Sequence, residues 1–302
     1  MNLKPNTKHL LKKILTLKNM KTSNKLLISL AISLILIPII VIAVNVRINY
    51  MDKKAALKEN KKEEHFNTPS YGYISEKINK SFNAVEILDG KGLALDIVLI
   101  QEDNTGLKIS EEFKNLISYN VDDNGKLQIS FKGSVEQKFR RPQLYIYAPN
   151  IVGFAASRGN SLSLWVSKRD SLNLKASKIG SFWLNTDSKF NNLSLLADSV
   201  NNINLDKTSI NSLNLNLINS NFKTSASSYK TLSIKALGNS NIEIDGDENN
   251  KDKYSINDLS IKTEGKSTIT LTNIKTNKTS GSLSDSTYVL MPATSLKQMF
   301  KN

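Results

Sequence analysis

The sequence has no cysteine and little histidine, and each scarcity excludes a kind of structure or chemistry. Its 302 residues include no cysteine and two histidines. Without cysteine the chain has no disulfide, no thiolate metal ligand, no thiol nucleophile and no lipid-modified cysteine anchor. His9 lies near the N-terminus and His65 precedes the C-terminal body. A serine-histidine-aspartate triad or a histidine-ligated metal site within that body is therefore excluded.

Turn-forming residues are also scarce, and nucleotide-binding motifs are absent. No proline occurs between 150 and 291, and no glycine between 181 and 237. No P-loop or GxGxxG motif is present. Asp245, Asp247 and Asn249 have the spacing of a calcium loop, but Asn250 stands where glycine is required. We interpret this stretch as a solvated loop, and the sequence predicts no catalytic residue, no cofactor and no metal site.

The positive charge is concentrated at the N-terminus. The net charge is +14, yet residues 1–47 contain eight lysines and arginines and no acidic residue. The remainder is only weakly basic, so charge is weak evidence for nucleic-acid binding, and we predict no nucleic-acid partner.

An uncharged run, LLISLAISLILIPIIVIAV, extends from Leu26 to Val44. At about 1.5 Å per residue, a helix of this length nearly spans the ~30 Å hydrocarbon core of a bilayer, and membrane helices tolerate a proline such as Pro38. A cleavable signal peptide has a shorter apolar core and a small-x-small cleavage site, which Ala43-Val44-Asn45 fits poorly. The other alternative is a buried core helix. We predict an uncleaved signal anchor, residues 26–46, in contact with membrane lipid.

The sequence divides into four parts in our prediction. Residues 1–25 are a basic cytoplasmic tail, 26–46 the transmembrane anchor, 47–70 a charged stalk and 71–302 a β domain. Seven lysines and no acid precede the anchor, whereas both signs are mixed after it. This asymmetry predicts a single-pass protein of the inner (cytoplasmic) membrane, with a cytoplasmic N-terminus and a periplasmic or extracellular C-terminal domain.

The β domain has a two-residue apolar period that recurs along the chain. Pairs of apolar residues separated by one residue recur about every ten residues. Small or apolar residues also recur about every twenty residues, at Ala176, Ala197, Leu217 and Ala236. Such repeats stack on their neighbours because no single repeat can bury its own apolar face. The fold class predicted is all-β, a single-stranded right-handed β-solenoid (β-helix) with coils of about 20 residues. A β-sandwich is the alternative, although it should contain more glycine and proline turns. Residues 111–117, EEFKNLI, predict one short helical turn.

Residues 80–290 resemble a known family. The segments are SFNAVEILDGKGLALDIVLIQE, GKLQISF and QLYIYAPNIVGFAASRGNSLSL, followed by Leu-x-Leu repeats. They are similar to the putative autotransporter adhesin head domain, a domain of unknown function common in Bacteroidetes envelope proteins. The resemblance implies a right-handed β-solenoid on a cell envelope, an adhesive or structural role and no catalytic residues. A C-terminal translocator barrel is missing, so the sequence does not predict an autotransporter.

Two tryptophans are the candidates for a ligand-binding face. If the paired apolar residues point inward, Trp165 and Trp183 point outward, one strand and two residues apart, or roughly 8 Å. Exposed indoles can stack on sugar rings or anchor a protein, unless the N-terminal part of the body packs over them. Nearby Arg158, Lys168 and Arg169 would suit an acidic glycan, or are ordinary surface charge.

These patterns favour a membrane-anchored, non-catalytic envelope binding or scaffold protein whose partner is a glycan or an envelope protein. One alternative is a polysaccharide-processing enzyme on the same solenoid. It would need carboxylates gathered on one face, whereas Asp170, Asp187, Asp198 and Asp206 are scattered through the repeats. A further alternative is an envelope sensor that signals through the basic tail.

Overall fold

The structure is a computed structural model that describes residues 21–49, 64–132, 141–166, 169–185 and 189–300. The chain divides into two compact units, residues 1–64 and 65–302. In the first unit, helix α1 (Thr22–Asn49) is 28 residues long, contains Pro38 and exposes its apolar side chains. Its length and composition are sufficient for it to cross a membrane.

The second unit is mostly β, as the two-residue period predicts. Its first nine strands are β1 (Tyr73–Lys77), β2 (Ala84–Asp89), β3 (Ala94–Gln101), β4 (Gly106–Ser110), β5 (Ile117–Val121), β6 (Lys126–Phe131), β7 (Gln143–Ala148), β8 (Gly153–Ser157) and β9 (Ser161–Val166). A 3-10 helix, Glu111–Leu116, confirms the predicted helical turn and buries Phe113.

The remaining strands form the repetitive part. They are β10 (Arg169–Leu184), β11 (Lys189–Asn204), β12 (Ser209–Ile218), β13 (Phe222–Ser225), β14 (Tyr229–Leu237), β15 (Ser240–Asp245), β16 (Ser255–Glu264), β17 (Ser267–Thr272), β18 (Lys275–Ser282) and β19 (Thr287–Leu290). Helix α2 (Ala293–Met299) follows them and buries Met299.

The strands form two ladders with mainly parallel pairing. The first ladder runs β5, β6, β2, β8, β10, β11, β12, β14, β16, β18, and uses the N-terminal parts of β10 and β11. The second runs β1, β4, β7, β3, β9, β10, β11, β13, β15, β17, β19, and uses the C-terminal parts of the same two strands. Strands β2 and β3 thus lie between β6–β7 and β8–β9, out of sequence order.

Residues about twenty apart in sequence are ladder partners through the repetitive part. Ala176 pairs with Ala197, Ala197 with Leu217 and Leu217 with Ala236, so the predicted twenty-residue recurrence is confirmed. The spacing lengthens to 27 residues between β14 and β16, where residues 246–254 form the inserted loop. The loop therefore interrupts the sequence pattern without interrupting the ladder.

Inward side chains stack on like side chains in the next repeat. Leu174, Leu195, Leu215, Ile234 and Ile261 form one such column, and each is at most 2% exposed. Because each residue in the column packs between its two neighbours, the interior of one repeat is completed by the repeats on both sides.

The bends between the ladders use left-handed backbone conformations, in most cases without glycine. Arg158, Lys178, Ser199 and Asn219 have φ between 48° and 58° and recur about every twenty residues. Only asparagine among these tolerates this region well, so the others carry a local conformational cost of about 1 kcal/mol or more each. Packing of the stacked repeats outweighs that cost, which explains why glycine is not required at the bends.

Truncation of one stacked leucine should destabilise the unit strongly. Leu195→Ala leaves a cavity between Leu174 and Leu215, and we expect a loss of about 2–5 kcal/mol in the free energy of unfolding. Ser194→Ala on the outward side of the same strand is the control and should change it by less than about 0.5 kcal/mol. Urea unfolding of the two variants measures the difference, and equal midpoints would contradict the stacked interior.

A glycine substitution at a left-handed bend should not destabilise the unit, in contrast to the leucine truncation. Ala226 has φ 50°, so Ala226→Gly should leave stability unchanged or raise the free energy of unfolding by up to about 1 kcal/mol. Ala155→Gly, within strand β8, is the matched control and should lower it by about 0.5–1 kcal/mol. Thermal unfolding of both variants tests this, and destabilisation by Ala226→Gly equal to that of Ala155→Gly would refute the assigned bend.

Candidate ligand-binding face

The outward side of the second ladder carries both tryptophans. Trp183 on β10 is the ladder partner of Ser163 on β9, and Trp165 lies two residues further along β9. The register thus places the indoles one strand and two residues apart, as the sequence predicts. Trp165 is 45% exposed and Trp183 40% exposed.

Tyrosines extend this aromatic surface across neighbouring strands. Val98 on β3 is the ladder partner of both Tyr145 on β7 and Trp165 on β9, so the three lie in one row. The ring of Tyr145 meets that of Tyr73 edge to face, with centroids 5.4 Å apart. We call Tyr73, Tyr145, Trp165 and Trp183 the aromatic band. From β7 to β10 it crosses three strand spacings, or roughly 14 Å.

A polar row runs beside the aromatic band. Asp96 is the ladder partner of both Gln143 and Ser163, and Ser163 in turn partners Trp183. Arg141 donates from Nη2 to Ser163 Oγ at 3.1 Å and pairs with Asp96 Oδ1 at 3.1 Å. The charges of Arg141 and Asp96 therefore compensate each other on the face itself.

The N-terminal part of the body covers a neighbouring area and leaves the indoles half exposed. Phe66 packs edge to face on Tyr147 with ring centroids 5.4 Å apart, above the outward side of β7. Lys108, fully buried, donates from Nζ to the carbonyls of His65 and Thr68, each at 2.6 Å, and to Ser70 Oγ at 3.0 Å. Residues 65–70, which the sequence assigns to the stalk, therefore pack on the β unit.

Of the three cations that the sequence predicts on this face, Arg158 and Arg169 lie elsewhere, and the position of Lys168 is not described. Arg158 lies before β9, at the end opposite Trp165, where it pairs with Asp89 at 3.0 Å. Hydrogen bonding by the Lys91 backbone N–H, aided by Lys91 and Arg158 charges, lowers the pKa of Asp89, so this pair stays ionised. Lys168 lies outside the described residues.

Arg169 does not lie on the surface, contrary to the sequence prediction. It is 6% exposed and donates from Nη1 to the Ile151 carbonyl at 3.1 Å, and burial lowers the pKa of its guanidinium. A sequence signal for this exists, because Arg169 precedes Leu172 by three residues, as buried Phe190 precedes Leu193. The sequence did not predict Arg141, Tyr73 or Tyr145 as residues of this face. The alternation of QLYIYAP does indicate that Tyr145 points outward.

No group of three or more histidine, aspartate and glutamate side chains among the described residues could hold a metal ion. Asp170 accepts a hydrogen bond from Asn191, and Asp198 accepts one from Ser199; Asp187 lies outside the described residues. In the inserted loop, the Lys253 ammonium is the first of several groups that lower the pKa of Asp247, with which it pairs at 3.0 Å.

A shallow polar cleft lies on the first ladder. Its volume is about 430 Å³, and serine, asparagine and leucine side chains of β10, β11 and β12 line it, among them Asn173, Ser194 and Asn214. None of its lining side chains titrates near neutral pH, so the cleft can donate and accept hydrogen bonds but cannot supply acid–base catalysis.

Loss of the buried lysine should release the covering segment. Lys108→Met removes three hydrogen bonds and leaves the carbonyls of His65 and Thr68 without this donor, so we expect a loss of about 1–3 kcal/mol in stability. Limited proteolysis should cleave residues 64–71 faster than in the wild type. Lys126→Met, which breaks a half-exposed pair with Glu86, is the control and should cost less than about 1 kcal/mol. Unchanged cleavage in Lys108→Met would show that the lysine does not hold the segment.

Comparisons with known proteins place the β unit among adhesin-like domains. Residues 81–251 match the family described as "Putative auto-transporter adhesin, head GIN domain". Among solved structures, a putative adhesin from Bacteroides fragilis is 17% identical, with 74% of this chain and 99% of that chain covered and a TM-score of 0.37. A putative adhesin from Parabacteroides merdae is 17% identical (72% and 92% covered, TM-score 0.35). A putative lipid binding protein from Parabacteroides distasonis is 14% identical (73% and 94% covered, TM-score 0.31). The comparison with curated proteins found no match.

Proposed function

We propose, since the chain belongs to the putative auto-transporter adhesin head domain family, that it is a membrane-anchored, non-catalytic binding protein of the cell envelope. In this proposal, residues 26–46 hold the protein in the inner membrane and residues 71–302 bind a glycan or an envelope protein outside the cytoplasm. The observation that carries the binding role is the pair of half-exposed indoles, Trp165 and Trp183, aligned on one face.

The proposal includes a right-handed β-solenoid for the β unit. Its support is the parallel pairing of strands about twenty residues apart in both ladders. Parallel strands joined by a crossover in one sheet almost always take the right-handed connection. A stacked repeat of this kind presents long outward rows of side chains, which suits a binding or scaffold role.

The non-catalytic role rests on how the described polar side chains are engaged. Two of the aspartates in the repeats accept hydrogen bonds from neighbouring side chains, Asp170 from Asn191 and Asp198 from Ser199. A glycosidase needs two carboxyl groups facing each other across the scissile bond. The only carboxylate in the polar row of the candidate face is Asp96, and Arg141 neutralises it. These features favour binding over polysaccharide cleavage.

Cysteine labelling tests the anchor and its orientation, because the chain has no cysteine of its own. We expect Lys251→Cys, in the exposed inserted loop, to react in spheroplasts with a membrane-impermeant maleimide. Thr7→Cys, in the basic tail, should react only after the membrane is permeabilised. Both variants should remain in the membrane fraction after an alkaline wash. Labelling of Thr7→Cys in intact spheroplasts, or release of the chain by the wash, would contradict the proposed topology.

A further inference from the structure

We propose that the aromatic band binds an uncharged polysaccharide chain that crosses strands β7, β3, β9 and β10. This inference rests on the proposed binding function and names the class of ligand that the face selects. It differs from the acidic glycan that Arg158, Lys168 and Arg169 suggest in the sequence.

The shape of the face suits an extended sugar chain. Tyr145, Val98 and Trp165 form one row on adjacent strands, and Trp183 lies on the next strand, two residues to the side, in the row of Ser163. Aromatic faces bury the apolar faces of sugar rings, and several rings along roughly 14 Å can contact successive sugar residues. Because the rings belong to paired strands, their spacing is fixed before a ligand arrives, which lowers the entropic cost of binding.

The polar row supplies hydrogen bonds for sugar hydroxyl groups. Gln143, Asp96, Ser163 and Asn204 follow one another across the ladder beside the band, with Trp183 between the last two. Their amide, carboxylate and hydroxyl groups include both donors and acceptors, as hydroxyl recognition requires. A ligand with many hydroxyl groups and an apolar ring face therefore matches both rows.

The charges on the face favour a neutral ligand. Arg141, a described cation that contacts the polar row, is 3.1 Å from Asp96 and therefore already has its counter-ion. Arg158 pairs with Asp89 at the other end of β9, and Arg169 is buried beneath the surface. Lys108, the ladder partner of Tyr145, is enclosed by residues 65–70. An acidic glycan would have to displace Asp96 from Arg141 and would gain little from Arg158, Arg169 or Lys108.

A protein partner fits the face less well. A stable protein interface buries about 800 Å² on each partner and has an apolar centre. The aromatic band offers two half-exposed indoles and two half-buried phenol rings, and the Arg141–Asp96 ion pair lies beside them. Separate rings beside a polar row suit a single extended sugar chain better than a protein interface with an apolar centre.

Tryptophan fluorescence tests the proposal directly, because Trp165 and Trp183 are the only tryptophans in the chain. The full chain in detergent micelles is titrated with hexasaccharides of cellulose, mannan, xylan and chitin, and with polygalacturonate and hyaluronate fragments. We expect at least one neutral hexasaccharide to shift the emission to shorter wavelength saturably and equally at low and high salt. Trp165→Ala and Trp183→Ala should each raise the Kd about tenfold or more, measured by calorimetry.

Tyr288→Ala is the matched control, because Tyr288 is an exposed aromatic residue on the same ladder, 68% exposed, on the distant strand β19. Its affinity should equal that of the wild type, and the urea midpoints of all variants should agree. If only the acidic fragments bind, and high salt abolishes their binding, the neutral class is wrong. If no sugar shifts the emission, the proposal is also overturned.

Sedimentation of the full chain with the cell-wall fraction of its own cells distinguishes a failure of the neutral-glycan proposal from a failure of the proposed envelope-binding function. Retention on that fraction without binding of any neutral hexasaccharide would overturn the neutral-glycan proposal alone. An absence of retention, together with an absence of binding to every sugar, would overturn the proposed envelope-binding function as well. Retention that the double variant Trp165→Ala/Trp183→Ala abolishes, together with neutral hexasaccharide binding, would support both.

Discussion

The stacking of each inward side chain on its counterpart about twenty residues away is the contact on which the rest of the structure depends. Leu195 packs between Leu174 and Leu215, and strands β10 to β17 each have ladder partners on both sides. Because the burial of each repeat is completed only by its neighbours, the alternation of inward and outward residues must remain in phase along the whole stack. Outward side chains do not contribute to this packing, so outward positions can be occupied by asparagine, serine, lysine or tryptophan.

The same constraint explains the bends. Stacked repeats require bends that superimpose, so the left-handed residues Lys178, Ser199 and Asn219 recur with the repeat. Side-chain bonds between repeats reinforce the alignment: the Asn211 amide donates to Asn191, whose amide donates to Asp170. These bonds satisfy polar side chains within the repeats, whereas a β-sandwich would use glycine and proline turns at its strand ends. A composition rich in asparagine and poor in glycine is therefore a consequence of the stacking, and it does not indicate a disordered low-complexity segment.

Local pattern was sufficient to predict the β-strands, their twenty-residue recurrence and the spacing of the tryptophans, since the two-residue period and the recurrence are both local in sequence. It was not sufficient for Arg169, which the sequence analysis placed on the surface, whereas the ladder register places it in an apolar column beside Phe190. Nor could it predict that β3 lies between β7 and β9, which are 47 and 67 residues further along the chain at Tyr145 and Trp165. No periodicity encodes a pairing at such distances.

The candidate binding face lies where strand order departs from sequence order. Tyr145 and Trp165 share a row only because Val98 on β3 is inserted between their strands, and Arg141 reaches both Asp96 and Ser163 for the same reason. Further along the stack, where repeats follow one another in order, the outward rows of the described residues are mostly polar and contain no such aromatic cluster. The irregular pairing depends on non-local contacts, which slow folding. It also brings together aromatic and hydrogen-bonding groups that no single repeat contains. In the proposed function, this irregular end of the β unit binds the ligand, and the regular repeats contribute stability.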